Sequence, residues 1–428
     1  VGNEKKEQDG MSENKDRAPS FTDPETLKCP YEAYKYLLAE KPVYHDETSG
    51  LHILSRYQDV RDMLRSPLLS TANVTEKLRQ TVAPARANRI EQLFEEKGWA
   101  RERNLPNYEG NEHKEIRDIF EQFLRAGKIK EHDEWIRDWC YTVVDEFVAQ
   151  GKCEVLSQFA EKISIGVLCH LVDADLDKIP LMRASMHAIE AGLSFTQNED
   201  AEIANAEIEI EAQHYFMGLI REKRENPDGG FLSAIVNTAL PSGRKLSDRQ
   251  LLTQIQFDLF MAGADTTTKA MASGVAMMIE NPEVYARLQA DPDKYLRTFV
   301  EEVLRLEPPA SGTFRTTVED VTLHGTTIPA GAVVTPRVAA ANLDERHFAC
   351  PAKLDLDRSN AATHMTFGSG VHACIGAPLA RRELYWGFKA LLDRVTDIRL
   401  AEGEVVEYVP SLVFRSLAHL NVTFTPRV

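Results

Sequence analysis

A helical pattern that begins at Ser247 and holds until Asn281-Pro282 constrains this chain more than any other feature. Ser247 with Gln250 three residues later has the form of a capping box, which fixes where the helix starts. At the usual rise per residue such a run is about 50 Å long. That exceeds ordinary globular helices, so the element is expected to cross the whole body and be packed along its length. Other helical patterns surround it: HKEIRDIFEQFLRAG, EHDEWIRDWCYTVVDEFVAQ, the two helices between 179 and 224, KYLRTFVEEVLRL, and a last one from about Ala377 to Leu392. Strand material is short: LHILS, the turn-rich LHGTTIPAGAVVTP, and the tail SLVFRSLAHLNVTFTP. The expected fold is mainly α with a smaller β component. Residues 1–20 read as a charged, disordered lead-in, and 21–428 as a single catalytic domain.

Composition removes several function classes. A formal net charge of −16 argues against nonspecific nucleic-acid binding. No apolar span is long enough to cross a membrane, and the polar N-terminus has no signal-peptide core. The six cysteines show no regular spacing, which fits a reducing, cytoplasmic setting better than a disulfide framework.

The stretch MTFGSGVHACIGAPLA, 365–380, holds three close glycines, a histidine and a cysteine ahead of a helix. Several chemistries compete for it. A dinucleotide loop would need its third glycine where Ala373 stands, and no Gly-Lys-Ser/Thr follows for a phosphate loop. His347, Cys350, His364, His372 and Cys374 fall within 28 positions, yet without the paired spacing of a zinc site. A nucleophilic cysteine would need a base and an orienting group that sequence does not supply. A buried structural cysteine would not call for three glycines. A haem-ligating thiolate accounts for more of the pattern. Gly368, Gly370 and Gly376 would let the backbone approach a flat macrocycle, and helix N-terminal amides would stabilise the sulfur of Cys374.

FGSGVHACIG, opened by Phe367, resembles the cysteine-ligand loop of the cytochrome P450 family, and further motifs follow the family order over roughly residues 20–428. AGADTT, 262–267, lies in the middle of the long helix; taken alone it reads only as a threonine bonded back to its own helix. The resemblance implies instead that Asp265 and Thr266 form the acid–alcohol pair that passes protons to bound O2, with Gly263 leaving space over the haem. EEVLR places Glu302 and Arg305 at i, i+3; in the family such a pair is structural, with a third partner from a proline-containing segment. PAKLDLDR resembles that segment, with Lys353 where arginine or histidine is common. By the same resemblance His113, Arg117, Arg315 and His372 contact the haem propionates, while His364 stays a packing or supporting residue.

The resemblance therefore implies a bacterial-type P450 fold with the long helix over the haem. The cofactor is haem b (iron protoporphyrin IX), with Cys374 as axial ligand and O2 as co-substrate. The activity is a monooxygenase acting on a hydrophobic terpenoid, steroid or aromatic compound. Ala262, Gly263, Gly312, Thr313 and Val413 are expected in the pocket wall, with Met186 and Phe195 contributed by the helices before the long one. Electrons would come from a ferredoxin or flavodoxin with an NAD(P)H-dependent reductase, docked on the basic positions Lys114, Arg117, Arg125, Lys128, Arg381 and Arg382. A peroxide-dependent peroxygenase and a non-enzymatic haem-thiolate sensor or carrier are the competing readings.

Overall fold

A computed structural model of the chain describes residues 19–74, 76–78, 89–193 and 198–427. Most of the expected lead-in, the stretch 79–88 and Phe195 lie outside the described residues.

The capping box forms as expected: the Ser247 hydroxyl accepts from the Gln250 amide, and the Gln250 side chain returns the contact. From there the chain is helical to Glu280 in three registers. Asp248–Thr253 is α-helical, Gln254–Met261 is wound as a π-helix, and Ala262–Glu280 is α-helical again. A π segment inside a long helix changes which side chains share a face, and such segments favour functional sites. Almost every residue from Ala264 to Met278 is buried. Neighbours are Glu161–Leu171, Pro292–Leu306 and Ala377–Arg394. Gly274 is required by the last of these: a Cβ there would overlap the Phe388 ring.

Two sheets close the structure far from the sequence neighbourhood of their strands. A five-stranded sheet has the spatial order Val43–Asp46, Leu51–Leu54, Val333–Pro336, Arg315–Thr317, Leu69–Ser70. Only the pairing of Leu51–Leu54 with Val333–Pro336 is parallel. A three-stranded sheet joins Lys152–Glu154, Asn421–Pro426 and Val395–Leu400. These pairings tie the first described elements to the last, and one large apolar cluster runs from Leu105 to Phe424. Among the described residues no helix is long and apolar enough to cross a membrane.

Candidate active site

The cysteine loop is shaped by its glycines. Gly368 and Gly370 have φ of +71° and +79°, the left-handed region that costs other residues energy. A Cβ on Gly370 would also come within 2.8 Å of the Leu64 carbonyl oxygen. The Cys374 amide donates to the Phe367 carbonyl at 2.8 Å and closes the loop. Beyond it the helix Ala377–Arg394 starts with Pro378 in its first turn. Burial pushes the Cys374 thiol up, while the amides of Gly376 and Ala377, with Arg117 and Arg381, pull toward the thiolate.

Cys374 opens into a cavity of about 290 Å³. Across it stand Ala262, Gly263, Thr266 and Thr267 of the long helix. The Thr266 hydroxyl donates to the Ala262 carbonyl at 2.8 Å, the back-bond that a helical threonine makes without a guest. Asp265 does not line this cavity. One residue earlier on the helix, it is buried on another face, ion-paired to Lys269, whose Nζ also lies 2.8 Å from Glu190. Burial pushes the Asp265 carboxyl up to about 6, against the pull of Lys269. Its Oδ2 has no hydrogen-bond partner among the described residues.

The four residues expected to hold carboxylates come from three separate elements. His113 and Arg117 sit on Gly110–Leu124, Arg315 opens the strand Arg315–Thr317, and His372 is in the cysteine loop. The rings of His113 and His372 are 4.2 Å apart, centroid to centroid. Burial lowers Arg315 to about 10. Burial, then His113, Arg315 and Arg117, lowers His372 to about 4. The buried His372 Nδ1 has no partner among the described residues. Arg117 is held by Glu121 at 2.7 Å, and among the described residues Arg315 bonds to the Thr313 hydroxyl and the Phe314 carbonyl, both at 2.7 Å. A buried guanidinium, offset only in part by Glu109, beside two histidine rings of which one has an orphaned nitrogen, favours a neighbouring anion. A haem with two propionates and an iron facing Cys374 matches this donor set.

The structural pair behaves differently. Glu302 and Arg305 are fully buried and doubly bonded, at 2.6 and 2.9 Å. The third cation is Arg358, whose Nε lies 3.0 Å from Glu302 Oε1. Lys353 supplies only its backbone carbonyl, to Arg305 at 3.1 Å and to Arg358 at 3.0 Å. His364 bonds to Glu301 at 3.1 Å, and Phe367 lies under the Arg381 guanidinium, 4.5 Å from its centre.

Of the expected pocket residues, Ala262 and Gly263 line the cavity and Gly312, Thr313 and Val413 do not. Gly312 packs against Thr335 and Pro336, Thr313 accepts from Arg315, and the Val413 carbonyl takes the Ser311 amide at 2.9 Å. Met186 is a core residue. Two polar residues of the cavity wall, Gln254 and Asp258, were not anticipated. Their spacing to Ala262 and Thr266, every fourth position, was the available signal.

The basic positions are mostly neutralised. Lys114 pairs with Asp118 at 2.8 Å, Lys128 with Glu131 at 2.9 Å, Arg381 with Glu301 at 2.7 Å, and Arg382 with Asp133.

The family model for cytochrome P450 matches residues 204–396. The mycinamicin IV hydroxylase/epoxidase of Micromonospora griseorubida is 32% identical over 299 residues, covering 68% of this chain and 72% of that protein. The biotin biosynthesis cytochrome P450 of Bacillus subtilis is 27% identical over 424 residues, 95% of this chain and 99% of that one. Among solved structures, cytochrome P450 CYP109Q5 from Chondromyces apiculatus superposes with a TM-score of 0.82 at 26% identity, over 96% and 98% of the two chains. P450BioI, solved with an acyl carrier protein bearing hexadec-9Z-enoic acid, gives 0.81 at 25% identity, over 94% and 99%. With the cysteine loop, the facing threonine and the buried cations in place, the chain belongs to the cytochrome P450 family of bacterial-type monooxygenases.

Proposed function

We propose that residues from about 21 onward form one catalytic domain that holds haem b and inserts one oxygen atom of O2 into a hydrophobic small organic substrate. Cys374 facing Thr266 across one cavity is the observation that carries this reading. When bound, the haem supplies dioxygen binding and the oxidising power for the insertion. The rest is the work of side chains. Cys374 Sγ is the iron ligand, and the amides of Gly376 and Ala377 temper its charge. His113, Arg117, Arg315 and His372 hold the propionates. Thr266 Oγ1, once turned from the Ala262 carbonyl, offers a donor and an acceptor inside the cavity. Asp265, whose carboxyl burial raises to about 6, would pass protons toward the threonine only if it leaves its ion pair with Lys269, since it does not line the cavity as it stands. The apolar wall of Leu105, Phe120, Leu168 and Leu304 keeps bulk water out and suits a terpenoid, steroid or aromatic substrate.

Electrons would arrive from a ferredoxin or flavodoxin served by an NAD(P)H-dependent reductase. Arg125 is exposed, and beside it a second pocket of about 280 Å³ is lined by Ala126, Ile129, Pro378, Arg381, Arg382 and Tyr385. Since most cations there already face carboxylates, charge steering of the partner is expected to be modest. Six free cysteines support a reducing, cytoplasmic setting.

The test is turnover with reductase, ferredoxin and NAD(P)H. Thr266→Ala should keep haem and ligand binding but lower the product formed per NAD(P)H consumed. Full coupling in that variant contradicts the proton role. Turnover with peroxide alone, and none with reduced ferredoxin, would make the protein a peroxygenase.

A further inference from the structure

The wall of the cavity contains a polar site that oxygen chemistry does not use. Asp258 lies on the π-wound segment Gln254–Met261; its Oδ2 accepts the Leu105 amide at 2.8 Å, and the Asn104 side chain also bonds to its carboxyl group. Gln254, one turn earlier, is 2% exposed and lines the same cavity. Its Nε2 donates to the Arg103 carbonyl at 3.0 Å, and its buried Oε1 has no partner among the described residues. Both groups therefore present acceptors. The nearby basic groups are committed elsewhere: Arg101 pairs with Glu209, Arg103 lies 3.8 Å from Glu112, and Arg249 lies 3.5 Å from Glu102. Tyr108, also in that segment, is kept protonated by its burial. Glu383 also lines the cavity with a buried Oε2 that has no partner among the described residues, but burial raises its carboxyl well above the usual range, which disfavours the charged form there.

Gln254 Oε1 is a buried acceptor with no donor among the described residues, and the half-buried Asp258 beside it adds a second acidic acceptor to an otherwise apolar wall, so a ligand that brings donors is favoured there. We propose that Asp258 and Gln254 form an anchor for a substrate amine, which places the apolar end of the same molecule over Thr266. The proposal rests on the monooxygenase reading and deepens it. Eight positions separate Asp258 from Thr266, a rise of about 12 Å or slightly less given the π winding. Preferred substrates are thus apolar molecules of about that length with a protonated amine at one end. A free carboxylate at that end is disfavoured, because it would face two acceptors. The Asp258 carboxyl is raised by burial to about 7; an aliphatic amine stays protonated well above that. Amine binding should therefore strengthen as pH rises through about 7, where Asp258 ionises.

Three ligands of equal length test this on haem-loaded protein: N,N-dimethyldecylamine, decanol and decanoate. Affinities are read by calorimetry and by the Soret shift. The amine should bind about tenfold more tightly than the alcohol or better, and decanoate most weakly. Asp258→Asn keeps an oxygen for the Leu105 amide, so it should fold and hold haem as before. It should lose the preference for the amine and its pH dependence while keeping decanol affinity. Equal affinity for amine and alcohol overturns the proposal, as does an unchanged preference in Asp258→Asn. A Soret shift to longer wavelength, which places the amine nitrogen on the iron, also overturns it. If the unmodified protein lacks the red-shifted Soret band of its reduced carbon-monoxide complex, the haem-thiolate reading fails first, and that failure is seen before any ligand is added.

Discussion

Two buried charge clusters are built on different principles. Around Glu302 each cation has the carboxylate within reach: Arg305 binds it through two nitrogens, Arg358 Nε lies 3.0 Å away without an aligned hydrogen bond, and the Asp355 amide donates at 2.9 Å. The surplus guanidinium nitrogens reach the carbonyls of Asn342, Pro351 and Lys353. Around Arg315 the chain stops short of balance. Its guanidinium and the two histidine rings sit in low dielectric, and one ring nitrogen is left without a partner. A cluster satisfied by its own chain holds the fold together, whereas a cluster left unsatisfied is waiting for something that is not protein. Sequence spacing cannot tell these apart, since Glu302/Arg305 and His113/Arg117 are both ordinary helical neighbours.

The sharpest way to break the contrast is inside the satisfied cluster. Glu302→Gln leaves two buried guanidinium groups without their carboxylate, and should cost about 3–5 kcal/mol. Thermal unfolding followed by circular dichroism should show a large fall in Tm or loss of folded protein, with or without haem.

The neighbouring carboxylate, Glu301, takes bonds from Arg381 at 2.7 Å and His364 at 3.1 Å. Burial alone would raise this carboxyl, but the bonds from His364 and Arg381 win and hold it at about 2. A carboxyl depressed in the folded state stabilises the protein above its unfolded value near 4.5 and loses that contribution as pH falls to about 2. The contribution is up to about 3 kcal/mol. Denaturant titrations across that window should show a steep acid limb that Glu301→Gln flattens.

Removing a cation from the unsatisfied cluster should do the reverse of Glu302→Gln. Arg315→Leu takes away a buried charge that Glu109 offsets only in part, so apoprotein stability should stay level or rise. Haem affinity should fall by about 10- to 100-fold, measured by transfer of haem to an acceptor protein. A loss of apoprotein stability matching that of Glu302→Gln would erase the distinction between the clusters.

What could be read in advance follows the same division. The long helix, its cap at Ser247, and the cysteine loop depend on local spacing, and each stands where it was expected. The third cation did not follow local spacing: Lys353 stood in the expected place, but Arg358, five residues on, has the reach to Glu302. Asp258 shares the every-fourth-position spacing of Ala262 and Thr266, but a lone acid among QIQFDLFM also suits a solvated helix face, and its contact with the Leu105 amide comes only from the folded chain. The neutralising partners of Lys114 and Arg117 are four residues away and were legible. Those of Arg381 and Arg382 come from Glu301 and Asp133, which only the folded chain brings near.

Everything about the site turns on Cys374 Sγ being the atom that holds the iron. Cys374→Ser with the unmodified protein beside it, both reduced under carbon monoxide, tests this most directly. The unmodified protein should show the red-shifted Soret band of a thiolate-ligated haem, and the serine variant should hold haem through Arg315 and its neighbours but lose that band. A serine variant that keeps the band would mean that another side chain carries the iron.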